Sequence, residues 1–267
     1  MLIVGELINS SRKAVREAIE KKDAKFIQDL ALKQIEAGAT YVDINCGTQI
    51  YEEEATMQWL VNSVLEVSDA PLCIDSPSEK ALAAGLEAAV ANKQQPMINS
   101  ITGEKERYAA VLELVKQYDA KVVGLLMDDT GMPETYEDRV RITDKLVQDL
   151  QKDGVALKNV FLDPLVKPVS TGDQAGMEVL ATIRYIHEKY ADINTVCGLS
   201  NISFGLPNRK LLNQVFMIQT MTMGMNGYIL DPLDRKMMGL VHTSMALLGK
   251  DQYCTGYLKA YRKGLLD

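Results

Sequence analysis

Long apolar runs are missing from this chain: no stretch approaches the roughly 18 consecutive apolar residues of a membrane-spanning helix. Membrane insertion is therefore not expected. A secretory leader is not expected either, because Leu2-Ile3-Val4 follows Met1 directly, with no charged segment before it. Excess positive charge is missing too. Lys and Arg number 29 against 36 Asp and Glu, a net charge of −7. A general nucleic-acid binder draws most of its affinity from neutralising phosphates and is normally basic, so nucleic acid is not an expected partner. The four cysteines, Cys46, Cys73, Cys197 and Cys254, form no CxxC pair. That spacing suggests neither a zinc site nor a disulfide framework, and it fits small core residues in a reducing, cytoplasmic setting. Only two histidines occur, His187 and His242, both within predicted helices. A histidine metal site or a Ser-His-Asp triad is not expected, and no protein-bound metal is implied.

What the chain does contain is a repeat of pattern. Apolar residues make up 47% of its 267 residues and charged residues 24%, which suits a folded domain with a sizeable core. Eight short, nearly continuous apolar runs, at 2–8, 41–45, 71–75, 96–100, 121–127, 159–165, 194–200 and 227–231, each end in a polar cluster. Such runs read as parallel strands buried on both faces. Between them lie stretches of helical period, at 24–37, 56–67, 79–91, 105–118, 135–153 and 175–190. Gly38 and Gly154 close two of these helices. The segment Met217–Met225 reads as core packing and Tyr253–Tyr261 as a closing amphipathic helix. Eight alternating units over residues 1–267 predict one (β/α)8 barrel domain. An open doubly wound sheet is the alternative, but no GxGxxG turn follows the first strand.

The informative feature is what ends each strand. The terminal residues are Glu6 and Asn9, Asp43 and Asn45, Asp75-Ser76, Asn99-Ser100, Asp128-Asp129, Asp163-Pro164, Ser200-Asn201 and Asp231-Pro232. In a barrel these positions converge on one mouth, where active sites sit. Asp128, Asp129 and Asp231 read as ordinary caps of the following turn or helix. Asp75, Asn99 and Asp163 do not, because they close the apolar runs Leu-Cys-Ile-Asp, Met-Ile-Asn and Val-Phe-Leu-Asp. A carboxylate at that depth costs several kcal/mol unless it is paired. No Lys or Arg is expected at neighbouring strand ends apart from Lys167, so the partners are expected to be donors on a ligand. Carboxylates accept paired N–H groups in a planar fork, and a pterin or a guanine presents such an edge. Lys167 itself reads as a solvated loop residue, with Schiff-base chemistry on a carbonyl substrate as the sharper alternative.

These residues are also where the chain resembles a known family. Gly5-Glu6-x-Ile8-Asn9, Asp43-Ile-Asn45-x-Gly47, Ile74-Asp75-Ser76, Ile98-Asn99-Ser100, Asp163-Pro164-Leu165 and Gly198-Leu-Ser-Asn201-Ile-Ser203, followed by Asn208-Arg209, occur in order over six strands. Together they resemble the pterin-binding methyltransferases: methyltetrahydrofolate–corrinoid protein methyltransferases and the folate domain of cobalamin-dependent methionine synthase. Dihydropteroate synthase is a more distant relative. The resemblance implies that Asp75, Asn99 and Asp163 bind the pterin, with Gly198, Ser203 and Arg209 on the ligand side. It implies that Asn201 lies near pterin N5 and acts in catalysis, inside a surrounding layer of Glu6, Asn9, Asp43, Asn45 and Ser100. One departure is Leu7, where the family usually has Arg. The implied reaction is methyl transfer between N5 of tetrahydrofolate, or 5-methyltetrahydrofolate, and a corrinoid (cobalamin) carried by a partner protein, in either direction. A homodimer is expected. Two other readings stay open: a dihydropteroate synthase-like condensation, against which the acidic strand-eight end Asp231-Pro-Leu-Asp234 argues on charge, and a non-catalytic folate-binding subunit.

Overall fold

A computed structural model describes residues 1–49, 51–91 and 93–266. Eight strands, β1 (Leu2–Asn9), β2 (Tyr41–Asn45), β3 (Leu72–Asp75), β4 (Met97–Gly103), β5 (Lys121–Asp128), β6 (Val160–Asp163), β7 (Asn194–Thr195) and β8 (Gly227–Leu230), form one sheet of order β7-β6-β5-β4-β3-β2-β1-β8. The paired strands are parallel. A parallel bridge between Gly198 and Ile229, with the Ile229 N–H donating to Cys197 O at 2.9 Å, joins the two ends. The sheet is thus a barrel.

Around it lie α1 (Lys13–Glu20), α2 (Ala24–Glu36), α3 (Glu53–Leu65), α4 (Glu79–Ala89), α5 (Lys105–Gln117), α6 (Tyr136–Lys152), α7 (Ala175–Lys189), α8 (Arg209–Thr222), α9 (Arg235–Leu247) and α10 (Thr255–Arg262). The starts have local causes. Asp23, Ser78 and Asp234 cap α2, α4 and α9 by accepting a backbone N–H, and Thr135 with Asp138 forms a capping box on α6. Gly38 (φ +108°) and Gly154 (φ +83°) end α2 and α6 in the left-handed region.

The strands alternate, and this alternation builds the site. Val42, Ile44, Leu72, Ile74, Ile98, Val160 and Leu162 face outward into the main core under the helices. Val4, Tyr41, Cys73, Met97, Val123, Phe161 and Val196 point inward and fill the barrel floor as a separate cluster. Two residues further along β2, β3, β4 and β6, the next inward positions are Asp43, Asp75, Asn99 and Asp163. An apolar floor is therefore overlaid by a polar layer.

Two expectations need correction. Strand seven was expected over 194–200, but its ladder ends at Thr195 and the chain enters a 3₁₀ turn at Leu199–Ser203. The Gly198 N–H turns to the Asp163 carboxylate instead of continuing a ladder. The third helix begins at Glu53, earlier than residue 56, because Glu53 and Glu54 suit the positive end of a helix dipole. Met217, Met221 and Met225 are core residues, as expected. No helix among the described residues is long and apolar enough to cross a membrane.

Candidate active site

A cavity of about 380 Å³ opens at the carboxyl ends of the strands, lined on several sides by Glu6, Asn9, Asp43, Asp75, Asn99 and Asp163. Gly198, Ser200, Asn201 and Ile229 complete the far wall, and Ser11 with Arg12 forms part of the rim. That volume accommodates a bicyclic heterocycle with ordered water. The register explains the grouping: Asp43 is level with Cys73, and Asp75 with Asn99, across adjacent strands. Register shifts interrupt β1 between Gly5 and Ile8 and β4 between Asn99 and Ile101. Irregularities of this kind re-aim side chains beside barrel mouths, here Glu6 and Asn99.

The electrostatics are those of carboxyls awaiting donors. Burial pushes Asp163 up to about 7, against hydrogen bonds from the backbone N–H groups of Leu165 (2.8 Å) and Gly198, which pull the other way. Burial likewise raises Asp75 to about 6, opposed by the Asn45 amide, which donates to its Oδ2 at 2.8 Å, and by the Arg107 charge. Asp43 lies well above the usual carboxylate range, from burial first and the neighbouring Asp75 charge second. Its Oδ1 is buried without a hydrogen-bond partner. Glu6 is also raised by burial, although Arg12 donates to it at 2.9 Å. Among the described residues, the side-chain amides of Asn99 and Asn201 make no hydrogen bond to protein. The cavity thus presents acceptors with no internal cation on Asp163 or Asp43, and two free amides able to donate and accept. Those groups match the N–H-rich edge of a pterin or guanine.

Several outlying residues hold this arrangement. Arg107, from α5, donates to the carbonyls of Ser76, Pro77 and Ser100, tying the ends of β3 and β4 together just beyond Asp75 and Asn99. Arg139 is fully buried, pairs with Glu178 at 2.8 Å and donates to Pro164 O at 3.1 Å. It thereby supports the turn in which Leu165 adopts φ +57°, a costly conformation for a bulky side chain. That turn aims the Leu165 N–H at Asp163. Arg209 donates to Ser203 Oγ (3.0 Å) and Ser200 O (2.7 Å), and Ser203 is fully buried.

The sequence-expected residues therefore divide. Asp75, Asn99, Asp163, Gly198 and Asn201 line one cavity. Glu6, Asn9 and Asp43, expected only as surroundings, line it as well. Asn45, Ser100, Ser203 and Arg209 lie behind the wall, bonded to its elements. Leu7 faces away, 6% exposed, its N–H bonded to Gln34 Oε1. The expectation of no cation near the strand ends fails at Arg12 and Arg107; α1, unread in the sequence, brings Arg12 to the rim in the run Ser10-Ser11-Arg12. Arg107 sits on a helix, so no strand-end pattern marks it. Asp128, Asp129 and Asp231 are structural: Asp128 pairs with Arg141 at 2.6 Å, Asp129 accepts the Lys105 N–H and Asp231 the Leu233 N–H. Asn201 caps no helix, since α8 starts from Asn208.

Comparison with known proteins follows this geometry. The family model described as "pterin binding enzyme" matches residues 5–231. The chain is 40% identical, over 99% of its length and 97% of the relative's, to the methylcorrinoid:tetrahydrofolate methyltransferase of Eubacterium limosum. It is 31% identical to the methionine synthase of Mycobacterium tuberculosis over 86% of this chain, which spans 20% of that protein. Among solved structures, the dihydropteroate synthase of Yersinia pestis in a sulfonamide complex superposes with a TM-score of 0.68 at 15% identity, covering 92% and 94% of the two chains. The synthase of Xanthomonas albilineans with 7,8-dihydropteroate gives 0.64 at 14% identity, covering 94% and 92%. At such identities the structures share a fold.

Proposed function

The chain belongs to the pterin-binding enzyme family, and from that premise we propose that it moves a methyl group between N5 of tetrahydrofolate and the cobalt of a corrinoid on a partner protein. The observation that carries this is likeness over nearly the full length of both chains to a methyltransferase named for those two substrates. The relative's name makes the methylcorrinoid the donor, and we propose the same direction here. In that direction the N5 lone pair attacks the methyl carbon in line. The N5–carbon bond forms, the cobalt–carbon bond breaks, its electron pair stays with cobalt, and N5 loses its proton.

The residues have separable tasks in this reading. Asp75, Asn99 and Asp163 bind the donor edge of the pterin, and its N–H groups compensate the buried carboxylates. Gly198 allows close approach of the ring. Asn201, on the turn after β7, accepts a hydrogen bond from the N5–H as positive charge develops on N5. Its free amide costs no rearrangement at that moment. Burial favours the protonated carboxyls of Asp43 and Glu6, and both line the cavity, which suits them to exchange a proton with the ligand. The corrinoid approaches the open mouth from outside the barrel.

The finer assignments are also proposals. Leu211, Leu212, Val215 and Ile218 form an exposed apolar face on α8, which supports a homodimer. Three buried free thiols and an exposed one suit a reducing, cytoplasmic setting. A direct test is calorimetric titration with tetrahydrofolate, alongside an assay with a dihydropterin pyrophosphate and p-aminobenzoate. Tetrahydrofolate should bind and no dihydropteroate should form. Formation of dihydropteroate would transfer the chain to the condensation reading.

A further inference from the structure

The ladder between β3 and β4 ends at the pair Asp75 and Asn99, where the Ser76 N–H donates to Asn99 O at 3.2 Å. Beyond that rung the two chains part. The chain after β3 runs through Pro77 into α4, and β4 slips its register against β5 between Asn99 and Ile101. Two ligand-facing side chains thus stand where the backbone ceases to tie their strands together. Arg107 takes over that task. Its Nη2 donates to Ser76 O and to Ser100 O, both at 2.9 Å, and these residues directly follow Asp75 and Asn99. Its Nε donates to Ser100 O as well, at 3.1 Å, and its Nη1 to Pro77 O at 2.7 Å. Four bonds from one planar fork fix the separation and tilt of the two strand ends.

The same guanidinium is also a charge. The groups acting on Asp75 are Asp43 and the Asn45 amide from β2, Glu53 from α3 and Arg107 from α5. Arg107 is the cation among them. Burial works against its charge, while Glu79, Glu104 and Asp75 favour it. Its outer side borders a mainly acidic groove of about 460 Å³, which also holds Lys105, Glu106 and Asp129.

We propose that Arg107 is a positioning residue for the pterin: through the carbonyls after Asp75 and Asn99 it holds those two side chains at the separation the ring's donor edge requires, and it supplies this corner of the cavity with positive charge. This rests on the folate reading above. It gives the two gripping carboxyls different characters. Burial lifts both. Asp75, countered by the Asn45 amide and then by the Arg107 charge, reaches about 6, whereas Asp163, countered by two backbone N–H groups, reaches about 7. Asp75 therefore ionises first as pH rises and stands ready at neutral pH to accept the ligand's N–H groups.

The test is calorimetric titration of the full chain with tetrahydrofolate at pH 8 and pH 6.5. The quantity read is the ratio of the two affinities, about fivefold in wild type for carboxyls at those values. Arg107→Gln removes the charge and moves Asp75 up toward Asp163, so the ratio should grow about threefold. Arg107→Lys keeps the charge but its single ammonium cannot span both strand ends. Its ratio should match wild type, with affinity about tenfold weaker at both pH values, the scale of one charged hydrogen bond. In an Asp75→Asn background no carboxyl remains to be tuned, and adding Arg107→Gln should leave the ratio unchanged. A merely structural Arg107 would lower Tm and leave both affinity and ratio in place. The proposal is overturned by a wild-type ratio in Arg107→Gln, by the same threefold growth without Asp75, or by wild-type affinity in Arg107→Lys. That last measurement decides alone if Arg107→Gln does not fold. Failure of wild type to bind tetrahydrofolate at either pH would instead overturn the folate reading.

Discussion

Asp163→Asn should make this protein more stable and less able to bind its ligand, both to an extent set by pH. Burial lifts the Asp163 carboxyl from its usual 3.8 to about 7. At about 1.36 kcal/mol per pH unit, that difference corresponds to about 4 kcal/mol. For a raised carboxyl the folded state binds the proton more tightly than the unfolded chain. The destabilisation is absent below the unfolded value near 4, grows as pH rises toward 7 and is complete above it. Asparagine retains the oxygen that accepts the Leu165 and Gly198 N–H groups but carries no charge. At pH 8 the variant should gain about 2–4 kcal/mol, a rise in Tm of about 5–10 °C for a chain of this size. At pH 4.5, just above the unfolded value, the gain should shrink to about 1 kcal/mol, a difference in Tm of about 2–3 °C. Tetrahydrofolate affinity should fall by at least about 30-fold at pH 8, because a charged acceptor has been replaced and an NH2 group now faces the ligand's donors. Thermal melts at both pH values, with calorimetry on the same samples, decide the matter. A variant less stable than wild type at pH 8, or equally stabilised at both pH values, would refute the reasoning.

Other outcomes follow from the same cavity. Wild-type affinity for tetrahydrofolate should weaken as pH falls from 8 to 5, because Asp163 near 7 and Asp75 near 6 must ionise to receive its donors; calorimetry across that range should show losses approaching tenfold per unit for each proton taken up. Asp75→Ala should weaken binding by about 2–4 kcal/mol, the scale for losing a charged partner in a buried site, and unchanged affinity would remove Asp75 from the pterin grip. Val215→Lys should convert the expected dimer to a monomer in light scattering with little change in Tm, since Val215 is 47% exposed on α8.

Much of this arrangement is legible in the sequence because barrel strands carry two messages with a period of two. Outward positions are apolar for the helices, and inward positions change from apolar to polar at the mouth. Asp75, Asn99 and Asp163 stand out since each closes a short apolar run. Asp43 reads as a strand-end residue of the surrounding layer only, because Ile44 and Asn45 extend its strand past it, yet it lines the cavity itself. Arg107 and Arg139 escape notice because helix residues that reach back to strand-end carbonyls follow no local pattern. The shortened seventh strand has a similar cause, since the Gly198 N–H is diverted to the Asp163 carboxylate 35 residues earlier in the chain, a long-range choice. The short helix α1 lacks a side-chain cap and spans eight residues, too few for a clear period.

Asn201 carries the catalytic assignment. Its amide lines the cavity, makes no hydrogen bond to protein among the described residues, and caps no helix. Asn201→Ala should therefore leave Tm and tetrahydrofolate affinity near wild type. It should lower the single-turnover methyl-transfer rate by about 10²–10³, the scale for one preorganised transition-state hydrogen bond. The most direct measurement mixes the wild-type protein and this variant in turn with tetrahydrofolate and methylcobalamin, and with 5-methyltetrahydrofolate and Co(I) cobalamin, following the corrinoid spectrum. Wild type should interconvert the methylcobalamin and Co(I) bands in a tetrahydrofolate-dependent manner, with the variant slowed by that factor. Absence of any folate-dependent spectral change with wild type, from either starting mixture, would contradict methyl transfer at this site.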